Sequence, residues 1–317
     1  MSIWIVQKQM IMIFAMILIG VYLYKSKHLS DETSKQLSWI IVNVTNPVTL
    51  LIAALSDREK LGAGEVGLAF LAFILMYVIL IAAAYLIPVL LKVESDGRYA
   101  YRMLTIFSNV GFIGIPFASA VLGPKSLIFV SICGLVYNVI IYTYGIASLK
   151  AVSLRQYPGE SGNVTSGSGF SLRSMFNSGM ILSVLTIVVY LADIKVPGMV
   201  NTTLTYIANC TTFLSMIVLG TSVAQMVPKE VFTKWRLYVF LVLRQILLPV
   251  GLIFVMKLFI TNDLMLRSIV IMSAMPAGNL PLMMAKQYGV KEDVISAGII
   301  LTTVATIVTI PAVMFFL

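Results

Sequence analysis

The sequence predicts an all-α polytopic membrane protein of ten transmembrane helices, arranged as a 5+5 inverted repeat. Three observations predict it. Of 317 residues, 59% are hydrophobic and only 11% charged, with a mean hydropathy of +0.98; a soluble domain carries about twice that charge. The apolar residues gather into runs of the roughly 20 residues that a bilayer core demands of a helix. The runs are continuous, without the period-two alternation of a membrane β-barrel strand.

Taken in order, the runs fall at 3–24, 36–56, 65–91, 101–122, 125–149, 176–193, 198–226, 235–260, 264–286 and 293–317. The first is too long in its apolar part for a cleaved leader. Charged KSKHLSDETSK follows it where a small-residue cleavage site would stand. The fourth contains SNVGFIGIP (108–116) and the ninth SAMPAGNLP (273–281), each with glycine, proline and asparagine inside an apolar stretch. One long polar break, KAVSLRQYPGESGNVTSGSGFSLRSM at 150–175, is too rich in Gly and Ser to insert. It divides the chain into a first repeat at 1–149 and a second at 176–317.

Loop cations give the orientation. Lys25, Lys27, Lys35, Lys92, Arg98, Arg102, Lys150, Arg155, Arg173, Lys229, Lys234, Arg236, Lys286 and Lys291 fall on one side, fourteen in all. The other side holds Lys8, Arg58, Lys60, Lys125, Lys195, Lys257 and Arg267, seven. The richer side is the cytoplasmic one, which puts both termini outside a cell membrane and the 150–175 loop in the cytoplasm. The formal charge of +9 then reads as loop bias and contact with anionic lipid, not nucleic-acid binding.

Five helices per half is an odd number, so the second half starts from the opposite face, as in many secondary transporters. Internal matches support the repeat. A shift of 165 residues lays Arg102 on Arg267, Ser108 on Ser273 and Pro116 on Pro281. A shift of 163 lays VTNPVTLL (44–51) on IANCTTFL (207–214), pairing Asn46 with Asn209.

A helix broken in hydrocarbon exposes N–H and C=O groups that lipid cannot satisfy, at several kcal/mol each. Proline removes a donor and glycine permits unwound geometry. Two breaks at matching places point to a substrate site near the midplane, where half-helix N-termini make a ready anion site. The alternative is a pair of proline kinks packed against neighbours. The candidate binding residues are Asn46, Asn109, Gly111, Gly114, Pro116, Asn209, Pro276, Asn279, Pro281 and Arg244. Arg244, inside the eighth run, is either functional or a structural arginine that caps carbonyls or snorkels.

The charges inform by where they are missing. All thirteen acids lie in loops or at helix ends, Glu65 coming nearest to the membrane interior. That opposes a carboxylate proton relay and suits an anionic substrate. His28 is the single histidine and sits in a charged loop, and Cys133 and Cys210 fall in apolar runs as small packing residues. No metal and no cofactor are expected, and general acid–base catalysis has no evident players.

At these residues the chain resembles the auxin efflux carrier family, which includes plant PIN proteins and bacterial malate-permease-like proteins. NVTNPVTLL is similar to that family's second helix, SNVGFIGIP to its fourth, ANCTTFLSMIVLGTSVAQ to its seventh, SAMPAGNLPLMMAKQYG to its second crossover and IILTTVATIVTIPAVMFF to its end. The resemblance covers nearly the whole chain. It implies broken fourth and ninth helices that cross, and a scaffold of helices one, two, six and seven. It also implies elevator-type transport or uniport of small organic anions such as auxin-like or malate-like acids. Two features depart from the pattern: the central loop is short, and Cys210 stands where Pro47 stands in the other half.

Other readings remain. A sodium-coupled symporter of the bile-acid type would have to build its ion site from Asn, Ser, Thr and backbone carbonyls. A receptor or scaffold on the same fold would ordinarily bring a soluble signalling domain. The partners expected are a small organic anion and membrane lipid, with a homodimer left open.

The cation split makes a topological prediction. In a background lacking Cys133 and Cys210, a cysteine placed at Ser166 is expected to react with impermeant thiol reagents from the cytoplasmic side alone. Labelling of intact cells from outside would reverse the orientation.

Overall fold

The computed structural model describes residues 3–56, 61–156, 178–225, 235–288, 290–291 and 293–317. Helices dominate throughout. In chain order they are α1 (Ile3–Lys25), α2 (Asp31–Ile40), α3 (Asn46–Ser56), α4 (Ala63–Leu90), α5 (Arg98–Ile106), α6 (Ile115–Leu122), α7 (Leu127–Ile140) and α8 (Ile146–Gln156). After the break come α9 (Ser178–Leu191), α10 (Gly198–Ala224), α11 (Trp235–Val242), α12 (Leu248–Met256), α13 (Asp263–Ala274), α14 (Leu280–Gln287) and α15 (Asp293–Met314).

Several of these are pieces of one longer rod. π-Turns at Ile41–Thr45, Ile141–Gly145 and Leu243–Leu247 join α2 to α3, α7 to α8 and α11 to α12 without unwinding the chain. Among the described residues, six helices are long and apolar enough to cross a membrane: 31–55, 63–90, 124–154, 198–224, 235–256 and 293–314. The expected spans at 101–122 and 264–286 are not single helices. Each is two short helices around an unwound segment, 107–109 in the first and 275–279 in the second.

Helix ends follow local chemistry. Ser30 and Asn262 head α2 and α13, their side-chain oxygens accepting the Thr33 and Met265 N–H groups at 3.2 and 3.1 Å. Such caps satisfy donors that a helix start leaves open. Glu65 belongs to this class: it lies in the first turn of α4 and accepts the Gly62 N–H at 3.2 Å. It closes a helix start and does not reach the interior. The polar break is shorter than the sequence suggests, because α8 continues to Gln156. The rest of the proposed linker, 157–175, lies outside the described residues.

α1 packs along α10, α10 along α3, and α3 along α9, so the rods carrying 3–25, 31–56, 178–191 and 198–224 stand together. α5 packs on α4 and α15, and α13 on α7, α4 and α12. α1 and α10 approach closely at Gly20 and Gly220. A methyl built on Gly220 would overlap the Ile17 carbonyl oxygen and lie 2.7 Å from the Gly20 Cα. In lipid, helices gain nothing from hiding apolar surface, so small residues that let backbones touch are a main source of association.

Replacing Gly220 with Ala is therefore expected to force α1 and α10 apart. The change should lower stability by about 1–3 kcal/mol, as overpacking does elsewhere. Thermal unfolding of the purified protein in detergent reads it; an unchanged midpoint would mean that the two rods separate freely.

Candidate functional site: the crossing of two broken helices

The two unwound segments meet. Ser108 and Ala277 form an isolated antiparallel bridge. The Asn109 N–H donates to the Pro276 carbonyl at 2.7 Å and the Gly278 N–H to the Phe107 carbonyl at 2.8 Å. Each break thus supplies what the other lacks, and the antiparallel pairing means that the two chains pass in opposite directions. Gly278 is required by closeness: a Cβ there would stand 3.0 Å from the Ser108 carbonyl oxygen. Met275 takes the extended backbone, φ −57° and ψ 147°, that a residue before proline prefers. Thr302 of α15 completes the crossing by accepting the Ala277 N–H at 3.1 Å.

Arg244 ties the crossing from behind. Its side chain is 0% exposed. Nη1 donates to the Ser273 carbonyl at 2.8 Å and the Met275 carbonyl at 2.7 Å, Nε to the Leu104 carbonyl at 3.3 Å, and Nη2 to the Ser108 hydroxyl at 2.7 Å. These carbonyls belong to the last turns of α5 and α13, where a helix has no donors of its own left to offer. The guanidinium fork fits two converging helix ends, and its positive charge suits their negative dipole ends. The carbonyl-capping reading of Arg244 is the one this geometry carries. Ser108 and Ser273, which the sequence repeat superposes, both touch it, one through its hydroxyl and the other through its carbonyl.

In front, two buried amides flank the start of the half-helix that leads into α6. The Asn109 side-chain oxygen accepts the Phe112 N–H at 3.1 Å, capping the π-turn Val110–Gly114. Asn46, at the start of α3, donates through Nδ2 to the Gly111 carbonyl at 3.2 Å. These partners fix which way each amide points. They leave the Asn109 Nδ2 donors and the Asn46 Oδ1 acceptor buried without a protein partner, with the Thr45 hydroxyl beside them. Asn109 is 3% exposed and Asn46 6%. Buried polar atoms left open in this way cost about 1–3 kcal/mol each.

A family model described as membrane transport protein matches residues 5–314. The chain belongs to that family. The motifs that resemble the auxin efflux carriers therefore lie in a member of a membrane-transporter family, and the chain is a multi-pass membrane transporter. No curated protein matches it by sequence.

In this transporter the predicted residues divide. Asn46, Asn109, Gly111 and Pro276 sit at the crossing itself. Gly114 lies one turn into the half-helix, where a Cβ would meet the Met272 sulfur at 3.1 Å. Asn279, half-buried, stands immediately before α14, and its carbonyl accepts the Met283 N–H at 3.1 Å. Asn109 and Asn279 thus stand before the two half-helices, 170 residues apart (279 − 109), while the helices on either side keep the sequence spacing of 165, from α5 to α13 (263 − 98) and from α6 to α14 (280 − 115). Pro116 and Pro281 lie in the first turns of α6 and α14. At Pro281 a proline removes no needed donor; Pro116 lies further along the half-helix that starts at Val110, where the π-turn reverts to α-helix, and it leaves a carbonyl of that turn without its helical N–H. Asn209 is exposed on α10, one residue past Ala208, and it is Thr49 that joins α3 to α10, through Thr211 at 2.7 Å.

Sequence reasoning singled out neither Ser108 as an arginine partner nor Thr302 as the acceptor for Ala277. Thr302 sits in the threonine-rich run LTTVATIVT, which marks a polar face but not its partner.

Thr302→Val, nearly the same shape, removes the acceptor for a buried backbone N–H. A loss of about 1–3 kcal/mol of stability is expected, with Thr302→Ser close to wild type. Thermal unfolding of the two variants side by side checks it; equal melting of both would remove Thr302 from the crossing.

Proposed function

We propose that this transporter carries small organic anions, carboxylates of the auxin-like or malate-like kind, bound at the crossing of its fourth and ninth membrane rods. The observation that carries the reading is the pair of open amides at Asn109 and Asn46. They stand beside a half-helix start whose N–H groups already favour negative charge. A carboxylate accepts from Asn109 Nδ2, and a hydroxyl, indole N–H or ordered water on the ligand donates to Asn46 Oδ1. Among the described residues the acids stand at helix starts and in turns, so none of them opposes the ligand with like charge.

The movement fits the packing. The antiparallel bridge at the breaks is what a 5+5 inverted repeat produces, and the ten apolar runs of the sequence supply its helices. The rods of 3–25, 31–56, 178–191 and 198–224 would form the scaffold. The crossing would slide past them as an elevator, with Asn46 reaching over from the scaffold side. The termini would face outside and the 150–175 loop the cytoplasm.

Uptake into proteoliposomes of a panel including indole-3-acetate and malate, with and without sodium and proton gradients, tests the reading; retention of none of these acids would refute it. Binding to the purified protein locates the site. A hydrogen bond to a charged group is worth about 1.5–3 kcal/mol, so Asn109→Ala or Asn279→Ala should weaken binding roughly 10- to 150-fold. Asn109→Asp should be worse still, since it sets a negative charge against the anion. Asn46→Ala is expected to reduce transport while leaving folding intact. Should Asn109→Asp hold the acid as tightly as wild type, the crossing is not the anion site.

A further inference from the structure

Four half-helix ends meet at the crossing, and their charges do not cancel until Arg244 is included. α5 and α13 end there and bring their negative ends. The half-helices running from Val110 to Leu122 and from Leu280 to Gln287 begin there and bring their positive ends. Each end is equivalent to about half an elementary charge. The two negative ends together amount to about one unit, which the single charge of Arg244 balances through three carbonyl contacts. The two positive ends, again about one unit, have no such balance. No Asp or Glu occurs between Asp96 and Glu160, or between Glu230 and Asp263 where Arg244 resides, or between Asp263 and Glu292. The polar groups open at these starts are the donor Asn109 Nδ2 and the acceptor Asn46 Oδ1, neither of them charged.

We infer that Arg244 acts as a fixed countercharge that sets the charge selectivity of the crossing, making it a site for one negative charge. Arg244 does not touch the ligand: all its bonds face the backs of α5 and α13. It is a positioning residue, and its effect is electrostatic. With its charge in place the helix ends facing the ligand carry a net positive unit in a low-dielectric surround, where such a unit acts strongly. Without that charge, the negative ends of α5 and α13 cancel the positive ones. The crossing would then have no reason to prefer an acid over its amide. A second negative charge on the ligand finds no balance in either case. The selectivity rests on the proposal that the crossing binds carboxylates, and it narrows them to monoanions, which sets the auxin-like acids ahead of dianions such as malate.

Two series of matched shape test it on the purified full-length protein by calorimetry: phenylacetate, phenylacetamide and phenylmalonate, and succinamate, succinamide and succinate. In whichever series binds wild type, the monoanion should bind at least about tenfold more tightly than the neutral amide or the dianion. Arg244→Lys, which keeps the charge and loses the fork, should preserve that order even where stability falls. Arg244→Gln, checked for an intact elution profile, should bring acid and amide to within about threefold of each other, a change that a purely structural role would not produce. If Arg244→Gln keeps the wild-type ratio, the countercharge is refuted while the carboxylate site stands. If Arg244→Gln does not fold, the wild-type series still decides: a dianion or an amide held as tightly as the monoanion overturns the inference. Failure of every ligand in both series to bind wild type overturns both readings.

Discussion

The structure depends on one arginine holding the ends of two helices. Breaking a helix inside hydrocarbon strands its last carbonyls, and breaking two strands twice as many. Arg244 meets three of those carbonyls and one hydroxyl from a single planar group. A lysine supplies the same charge but three donors around one point, so it does not span two converging helix ends. A buried guanidinium is itself expensive in such a medium. The two liabilities offset each other, and this makes an arginine tolerable here and the breaks survivable.

The remaining stranded groups are met by the breaks themselves. Two backbone bonds, Asn109 to Pro276 and Gly278 to Phe107, turn the unwound segments into a fragment of antiparallel sheet. Glycine at 278 lets the chains come that close. Thr302 takes the outward N–H of Ala277. Open buried groups remain on both sides: Asn46, Asn109 and Thr45 in front, and the Gln245 side-chain oxygen and the Thr303 hydroxyl beside Arg244 and Thr302. The two in front that stand at a half-helix start are the side-chain amides of Asn46 and Asn109.

Elsewhere the rods are bent without being broken. The π-turn at Leu243–Leu247 carries Arg244 and Gln245, both fully buried. Gln245 donates to the Thr302 carbonyl at 3.0 Å, so the same turn reaches the crossing directly and through α15. The π-turn at Ile41–Thr45 precedes Asn46 and Pro47 in a similar way. A single inserted residue re-aims a side chain at little loss of hydrogen bonding, and such turns gather at functional sites.

The sequence by itself determined the helical class, the membrane setting and the two places where helices break, because these follow from composition and from what proline, glycine and asparagine do locally. It also marked Asn46, Asn109 and Arg244, since polar groups in hydrocarbon stand out one at a time. It counted Pro281 with the second break, whereas Pro281 stands in the first turn of the helix after it. A proline's effect depends on its position in a helix. Only the tertiary structure decided which carbonyls Arg244 caps, that Thr302 serves Ala277, and that Asn209 faces outward while Thr211 joins Thr49. Those pairings are made between residues up to 162 positions apart, and each depends on the angle at which rods cross. A chain read one helix at a time carries no record of that angle.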